Sequence, residues 1–275
     1  MAVLLIPLSA LTYGIDFISY TSRPDTQRVN VVGLGAYFRS QGIAFDGENY
    51  YFSSKSTLIK TKSDYRTAVN TNYQAIPDEI KDKYNSKHIG GISYYNGKIY
   101  GGLEDSKVFE HPVIGVFDAE SLALESAYEL TDRDQDGSLA VKKGVPWVAV
   151  DSQTGYLYLA NHNKRPDKLF VFDVNDNMKQ VGEIILRDEV YSIQGGEFID
   201  GSLFVATNDE TQAIYKINLT DGTASKILDR NLTSGSEGEG MTVTFKDGSP
   251  VIVAIDMGPL FVNAFVREYT TGELL

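Results

Sequence analysis

The chain is 275 residues long, with 25 basic and 37 acidic side chains, a formal net charge of −12 and no cysteine. That charge argues against a nucleic-acid partner, which needs a Lys/Arg surface to displace phosphate counterions. The missing cysteines exclude disulfides, thiolate metal sites and cysteine nucleophiles.

A chain of this length buries about 75% of its unfolded surface, enough for a single domain over residues 1–275. Seventeen Tyr, 13 Phe and 25 Gly make a composition of pleated strands and tight turns. Residues 2–11 (AVLLIPLSAL) read as a first β-strand or as the apolar stretch of a signal peptide, although no positive residue precedes them. No apolar run reaches the roughly 20 residues of a membrane-spanning helix. Asn-x-Thr triplets at Asn218 and Asn231 fit secretion. The expected location is extracellular or periplasmic, with the cytoplasm as the alternative.

Five segments then share one layout: a polar approach, a short apolar strand, a turn and a second apolar strand. They read SQGIAFDGENYYFSS from Ser40, HIGGISYYNGKIYGGLED from His88, PWVAVDSQTGYLYLANH from Pro146, IQGGEFIDGSLFVATND from Ile193 and EGEGMTVTFKDGSPVIVAID from Glu237. Anchored at Gly42, Gly91, Val148, Gly196 and Gly240, their spacings are 49, 57, 48 and 44 residues. Asp46-Gly47, Asn96-Gly97, Asp200-Gly201 and Asp247-Gly248 are hairpin signals, because Asn or Asp before Gly tolerates the positive φ of a tight turn. The third copy turns instead through residues 152–155. A third strand follows each pair, at 57–60, 113–118, 169–173, 213–217 and 264–269, and the middle copies add a fourth, as at 180–186. Four strands in about fifty residues, repeated, predict an all-β protein, a β-propeller of five or six blades.

The last copy shows three strands before Leu275. An open blade would leave backbone groups unpaired, so an N-terminal strand at 28–32 is expected to close the ring as the missing outer strand. The alternative assigns 3–8, 16–20 and 28–32 to a sixth blade. A short helix is predicted at 77–84, where Pro77 and the acids Asp78 and Glu79 open the first turn. It stands just before His88 and is placed to cover part of a site.

In a propeller, the loop into each innermost strand and the loop out of each second strand meet around the channel on one face. The approaching positions carry Arg39, Gln41, His88, Trp147, Gln194, Glu237 and Glu239; the departing ones carry Lys55, Glu104, Asp105, Asn161, His162, Asn163, Asn208, Asp209 and Asp256. Two of the three histidines and the only tryptophan fall in this set. Oxygen-rich convergent positions suit a hard cation such as Ca²⁺.

Glu239-Gly240-Met241, ahead of an inner strand, resembles the Glu-Gly approach of the regucalcin/gluconolactonase-type propellers, a superfamily of calcium-dependent lactonases and phosphotriesterases. The likeness covers the repeat layout over most of the chain, and the motif itself is a few residues long. The resemblance implies a channel metal held by Glu, Asn and Asp side chains. The Pro-Asn-Gly approach of that family is absent; Gln41-Gly42 and Gln194-Gly195 stand in the comparable places. A second calcium candidate is Asp132-Arg-Asp134-Gln-Asp136-Gly137, which matches half of an EF-hand loop but has Lys143 where the twelfth-position acid belongs. It reads as an acidic loop or as a surface Ca²⁺ site.

The expected function is a small-molecule hydrolase or lyase with its site at the channel mouth. His88, His162 and Glu239 are the catalytic candidates, with a histidine as general base. Tyr37, Arg39, Gln41, Trp147 and Gln194 are expected to bind the substrate. Glu104, Asn161, Asn208 and Asp256 are expected to ligate Ca²⁺ or another divalent cation, with a metal-free site as the alternative. The other hypothesis is a non-catalytic propeller that presents this face to a ligand or a protein, a cationic one being favoured by charge.

Overall fold

The computed structural model describes residues 26–105, 110–142 and 144–270. Its strands form five four-stranded antiparallel sheets, the blades of a propeller. Blade 1 runs from its inner to its outer strand as β2 (Ile43–Phe45), β3 (Tyr50–Ser54), β4 (Thr57–Thr61) and β5 (Ala68–Asn72). Blade 2 comprises β6 (His88–Tyr95), β7 (Lys98–Glu104), β8 (Val113–Asp118) and β9 (Leu124–Glu129). Blade 3 comprises β10 (Ala149–Asp151), β11 (Tyr156–Ala160), β12 (Lys168–Asp173) and β13 (Lys179–Ile185). Blade 4 comprises β14 (Ile193–Ile199), β15 (Ser202–Thr207), β16 (Ile214–Ile217) and β17 (Ala224–Leu228).

Blade 5 is assembled from both ends of the chain. β18 (Glu237–Lys246), β19 (Ser249–Met257) and β20 (Asn263–Thr270) pair in sequence, and β1 (Gln27–Val32) adds outside β20. The strand expected at 28–32 therefore satisfies the edge of the last blade, and the described ring has five blades. The strands proposed at 3–8 and 16–20 for a sixth blade lie outside the described residues.

The hairpin signals carry the geometry they imply. Asn96 and Gly97 have φ of 51° and 79°, and Asp200 and Gly201 have 48° and 74°, the double positive φ of a two-residue turn whose twist matches its strands. These turns lie at the lower end of the blades. All five inner strands start from the upper end, where they crowd against one another. Gly240 N–H donates to Gln41 O at 2.8 Å and Gly91 N–H to Pro146 O at 2.9 Å, each from one blade to the next. A Cβ at Gly240 would sit 2.8 Å from Gln41 O and from Gly42 Cα, and one at Gly91 would sit 2.7 Å from Gln194 O, two blades away. Glycine is thus a condition of this approach, and backbone fills the axis: β6 touches β14 and β18 across it. The axis itself therefore leaves no ligand space among the described residues.

Five wedges of apolar core lie one at each interface between blades, and a small sixth cluster, Ala36 with Met257 and Ala264, seats the helix at Leu34–Tyr37 on blade 5. Ala44, Tyr51 and Leu58 of blade 1 meet Ile89, Leu103 and Phe117 of blade 2, and Val29, Val253 and Val266 of blade 5 meet Ile43 and Phe52 of blade 1. Both faces of a blade are buried, which is why the inner strands read as nearly continuous apolar runs.

Two helices interrupt the strands at the upper end. The predicted one is observed as α2 (Asp78–Tyr84), with Pro77 at its N-cap, Asp78 and Glu79 in the first turn and Asn85 left-handed at its C-cap. Tyr84 is buried and packs against His111. The other, α1 (Leu34–Tyr37), links β1 to β2 and has no acidic or capping signal, so nothing in the sequence announced it.

Candidate functional site

His88 opens β6 and pairs in register with Glu104, the last residue of β7. His162 follows β11 in the next blade. Both histidines turn Nδ1 to the same carboxyl group: His88 Nδ1 lies 3.0 Å from Glu104 Oε2, and His162 Nδ1 lies 3.0 Å from Oε1. The Glu104 side chain is 4% exposed, against 22% for His88 and 48% for His162. Burial by itself would raise the Glu104 carboxyl; the hydrogen bonds and charge of the two imidazoles overcome it and hold the group at about 2. An ionised carboxylate only accepts, so both Nδ1 atoms must carry hydrogen, and in a neutral ring Nε2 is then the nitrogen that accepts a proton. Tyrosine or water could not impose that tautomer on two rings at once; a carboxylate with two oxygens can.

His162 lines a cavity of about 300 Å³ between blades 3 and 4, together with Pro146, Asn163, Lys164, Ser192, Ile193 and Gln194. A second cavity of about 670 Å³ shares Lys164 and Ser192 with it and extends outward along blade 4, past Tyr191, Asp209 and Tyr215. Ser192 has φ of 50°, an uncommon conformation for a residue with a side chain. Its N–H donates to Lys164 O at 2.9 Å, and its carbonyl accepts from Asn208 N–H at 2.8 Å, so the wall between the cavities is pinned from two sides.

The mouth beside blade 5 is built differently. Asp256, fully buried, is paired with fully buried Arg267 at 2.7 Å. Arg230, also fully buried, donates to Thr207 O at 2.9 Å and Ile255 O at 3.3 Å, tying blade 4 to blade 5. Asn208 accepts from Gly238 N–H at 3.0 Å and donates to Glu237 at 3.3 Å. Glu239 is 4% exposed, and its carboxyl has no hydrogen-bond partner among the described residues. Burial raises it well above the usual carboxylate range; Glu237 adds to this, Arg230 opposes it and Asp256 adds again.

The residues expected to bind substrate are scattered. Gln194 lines the cavity. Gln41 gives its carbonyl to Gly240. Trp147 is fully buried against Gly91 and Gly196: it is a core residue and has no face toward a ligand. Arg39 is 8% exposed and donates to Gly35 O and Arg66 O, which makes it a tie for α1. Tyr37 is exposed on α1, with Lys55 Nζ 5.3 Å from its ring centre.

The oxygen donors expected to hold a cation are engaged elsewhere. Glu104 spends both oxygens on imidazoles, Asn161 Oδ1 accepts from Lys142 N–H at 2.6 Å, Asn208 Oδ1 takes Gly238 N–H, and Asp256 is held by Arg267. Among the described residues no three His, Asp or Glu side chains converge so as to hold a metal ion. The set does not fit the channel cation that the resemblance implies. In the acidic loop, Asp134 pairs with Lys142 at 2.8 Å and Asp136 accepts from the Ser138 N–H and hydroxyl. These contacts account for that loop as a tight turn.

Two groups were beyond sequence reasoning. Arg230 sits in an irregular loop that gave no sign of burial. Arg267 left a faint trace, a charge next to Glu268 in the otherwise apolar strand AFVREYT.

No protein-family model matches this sequence, and no curated protein matches it. Among solved structures it is similar to hydrazine synthase of Kuenenia stuttgartiensis, at 12% identity and a TM-score of 0.45, over 86% of this chain and 64% of that one. A likeness at that level assigns no activity. Among the described residues no helix is long and apolar enough to cross a membrane.

Proposed function

We propose that the protein is a small-molecule hydrolase or lyase whose site is the cavity beside His162 at the upper mouth. The reading rests on one observation: Glu104 holds the Nδ1 edges of His88 and His162 together. His162 Nε2 then acts as general base, taking a proton from water in a hydrolysis or from an activated carbon in an elimination. The imidazolium so formed lies against a carboxylate that remains ionised, which lowers the cost of the charge. Glu239 does not line that cavity and has no part in this reading. Hydrolysis is the reaction class that the resemblance to lactonase-type propellers implied; the cation is left out because its expected oxygen ligands are engaged.

The test is turnover of a panel of esters, lactones and 2-hydroxy acids. His162→Ala and Glu104→Gln should each reduce kcat/KM at least tenfold, with unchanged circular dichroism. Undiminished turnover in both would remove the site. A second reading, a non-catalytic propeller, is favoured by the exposed Leu34 and Tyr37 of α1 and by the exposed Leu260 and Phe261. Gly33 N–H, bonded to Val262 O at 3.0 Å, brings these segments together at the same end. A propeller that only binds would show no turnover on any of the panel.

A further inference from the structure

The cavity beside His162 is furnished with donors that the protein does not use. Among the described residues, the side chains of Asn163, Lys164, Ser192 and Gln194 line it and make no hydrogen bond or ion pair. Among the described residues, no Asp or Glu side chain lines it, in a chain with 37 of them. Some lysines meet acids, as Lys60 does with Glu120 and Lys98 with Glu125. Lys164 also borders the adjoining cavity that holds Asp209 and Glu210; within the cavity beside His162 its ammonium meets no described carboxylate, and that favours a negative ligand there.

The donor set also limits the charge of that ligand. Phosphate is usually met by a guanidinium fork or by main-chain N–H groups at a helix start or glycine-rich loop. Among the described residues this cavity has no arginine and no helix; beside His162 it has one ammonium, two amides and a hydroxyl. That composition suits a single negative charge spread over two oxygens. Pro146 and Ile193 add an apolar wall, and the volume of about 300 Å³ leaves room for a short carbon body.

We propose that this cavity binds the carboxylate of a small organic monoanion. Lys164 is its charge partner, Asn163, Ser192 and Gln194 are its neutral donors, and its carbon body lies on Pro146 and Ile193. The inference rests on the proposed function only for its consequence, which is that the carboxylate anchors the substrate beside His162.

Saturation-transfer NMR and calorimetry with acetate, butyrate and benzoate test the site, with benzamide and inorganic phosphate as controls. At least one carboxylate should bind the wild-type protein, benzamide should bind at least tenfold more weakly than benzoate, and Lys164→Met should weaken the carboxylate about tenfold, the loss expected for one charge-assisted hydrogen bond. No binding of any of the three acids, equal affinity for benzamide, tighter binding of phosphate, or indifference to Lys164→Met would each overturn the proposal. The two readings fail separately. Carboxylate binding that depends on Lys164, with no turnover of any substrate, would sink the enzyme and leave the carboxylate site. Turnover lost in His162→Ala, with carboxylate binding indifferent to Lys164→Met, would do the reverse.

Discussion

The two halves of the upper mouth use the same strand positions for opposite ends. At blades 2 and 3 a buried acid, Glu104, faces two half-open histidines, and the group it organises still reaches solvent. At blades 4 and 5 a buried acid, Asp256, faces a buried arginine, and neither reaches solvent. An imidazole that donates through Nδ1 can take a proton at Nε2 when neutral. A guanidinium locked to a carboxylate inside the protein keeps nothing for a ligand, and the pair is a strut. Polar residues at strand ends are therefore not evidence of a site until the partner and the exposure are known.

Breaking the strut should have the largest effect. Asp256→Ala leaves Arg267 charged in a dry interior and should cost about 3–5 kcal/mol of unfolding free energy, measured by urea denaturation. Asp256→Ala with Arg267→Leu should recover part of that loss, and a double variant as unstable as the single one would show that the pair is not the source. Glu104→Gln removes the acid from the other half and should cost at most roughly 3 kcal/mol at neutral pH, the equivalent of its lowered pKa. The folded value of about 2 lies below the ordinary 4.5. Its contribution is full above the ordinary value and is lost as the pH falls toward 2. The gap between wild type and Glu104→Gln should therefore close in acid, and a gap constant from pH 7 to pH 2 would contradict the pairing.

The ring of glycines that sets the two halves against each other can be tightened. Gly240→Ala inserts a methyl group 2.8 Å from Gln41 O and Gly42 Cα and should cost about 1–3 kcal/mol, read as a lowered Tm. The smallest effect is expected between blades 4 and 5, away from both mouths. Glu197, bonded by the Thr242 hydroxyl at 3.1 Å, is raised to about 7 by burial against those hydrogen bonds. A carboxyl raised in the folded state favours folding in acid, and that help is lost as the pH climbs from about 4.5 through 7. Glu197→Gln should make the melting temperature flatter over that range; an unchanged pH slope would count against the buried carboxyl.

Much of the fold was legible because the turns and strand runs are local. Asn96-Gly97 and Asp200-Gly201 set their hairpins by backbone sterics alone, and the incomplete last blade pointed to residues 28–32 through unpaired edges. The upper end of the blades was legible too, since every approach and departure falls there. Burial at that end was not. Trp147 and His162 occupy comparable strand-end positions, yet Trp147 fills the space left by Gly91 and Gly196 while His162 lies over a cavity, and only the spacing between blades decides which. Asn161 and Asn208 looked like cation ligands from their oxygens; the backbone N–H groups that claim those oxygens come from Lys142 and Gly238, 19 and 30 residues away. The coupling of His88 to His162 spans two blades, and no spacing in the sequence encodes it.

The tautomers of those two histidines are the sharpest test. Long-range ¹H–¹⁵N correlation spectra at a pH where the rings are neutral should show His88 and His162 both protonated on Nδ1, with Nε2 bare, and both should lose that uniform state in Glu104→Gln. A wild-type spectrum with either ring protonated on Nε2 would mean that Glu104 does not hold that ring, and the general base would be gone with it.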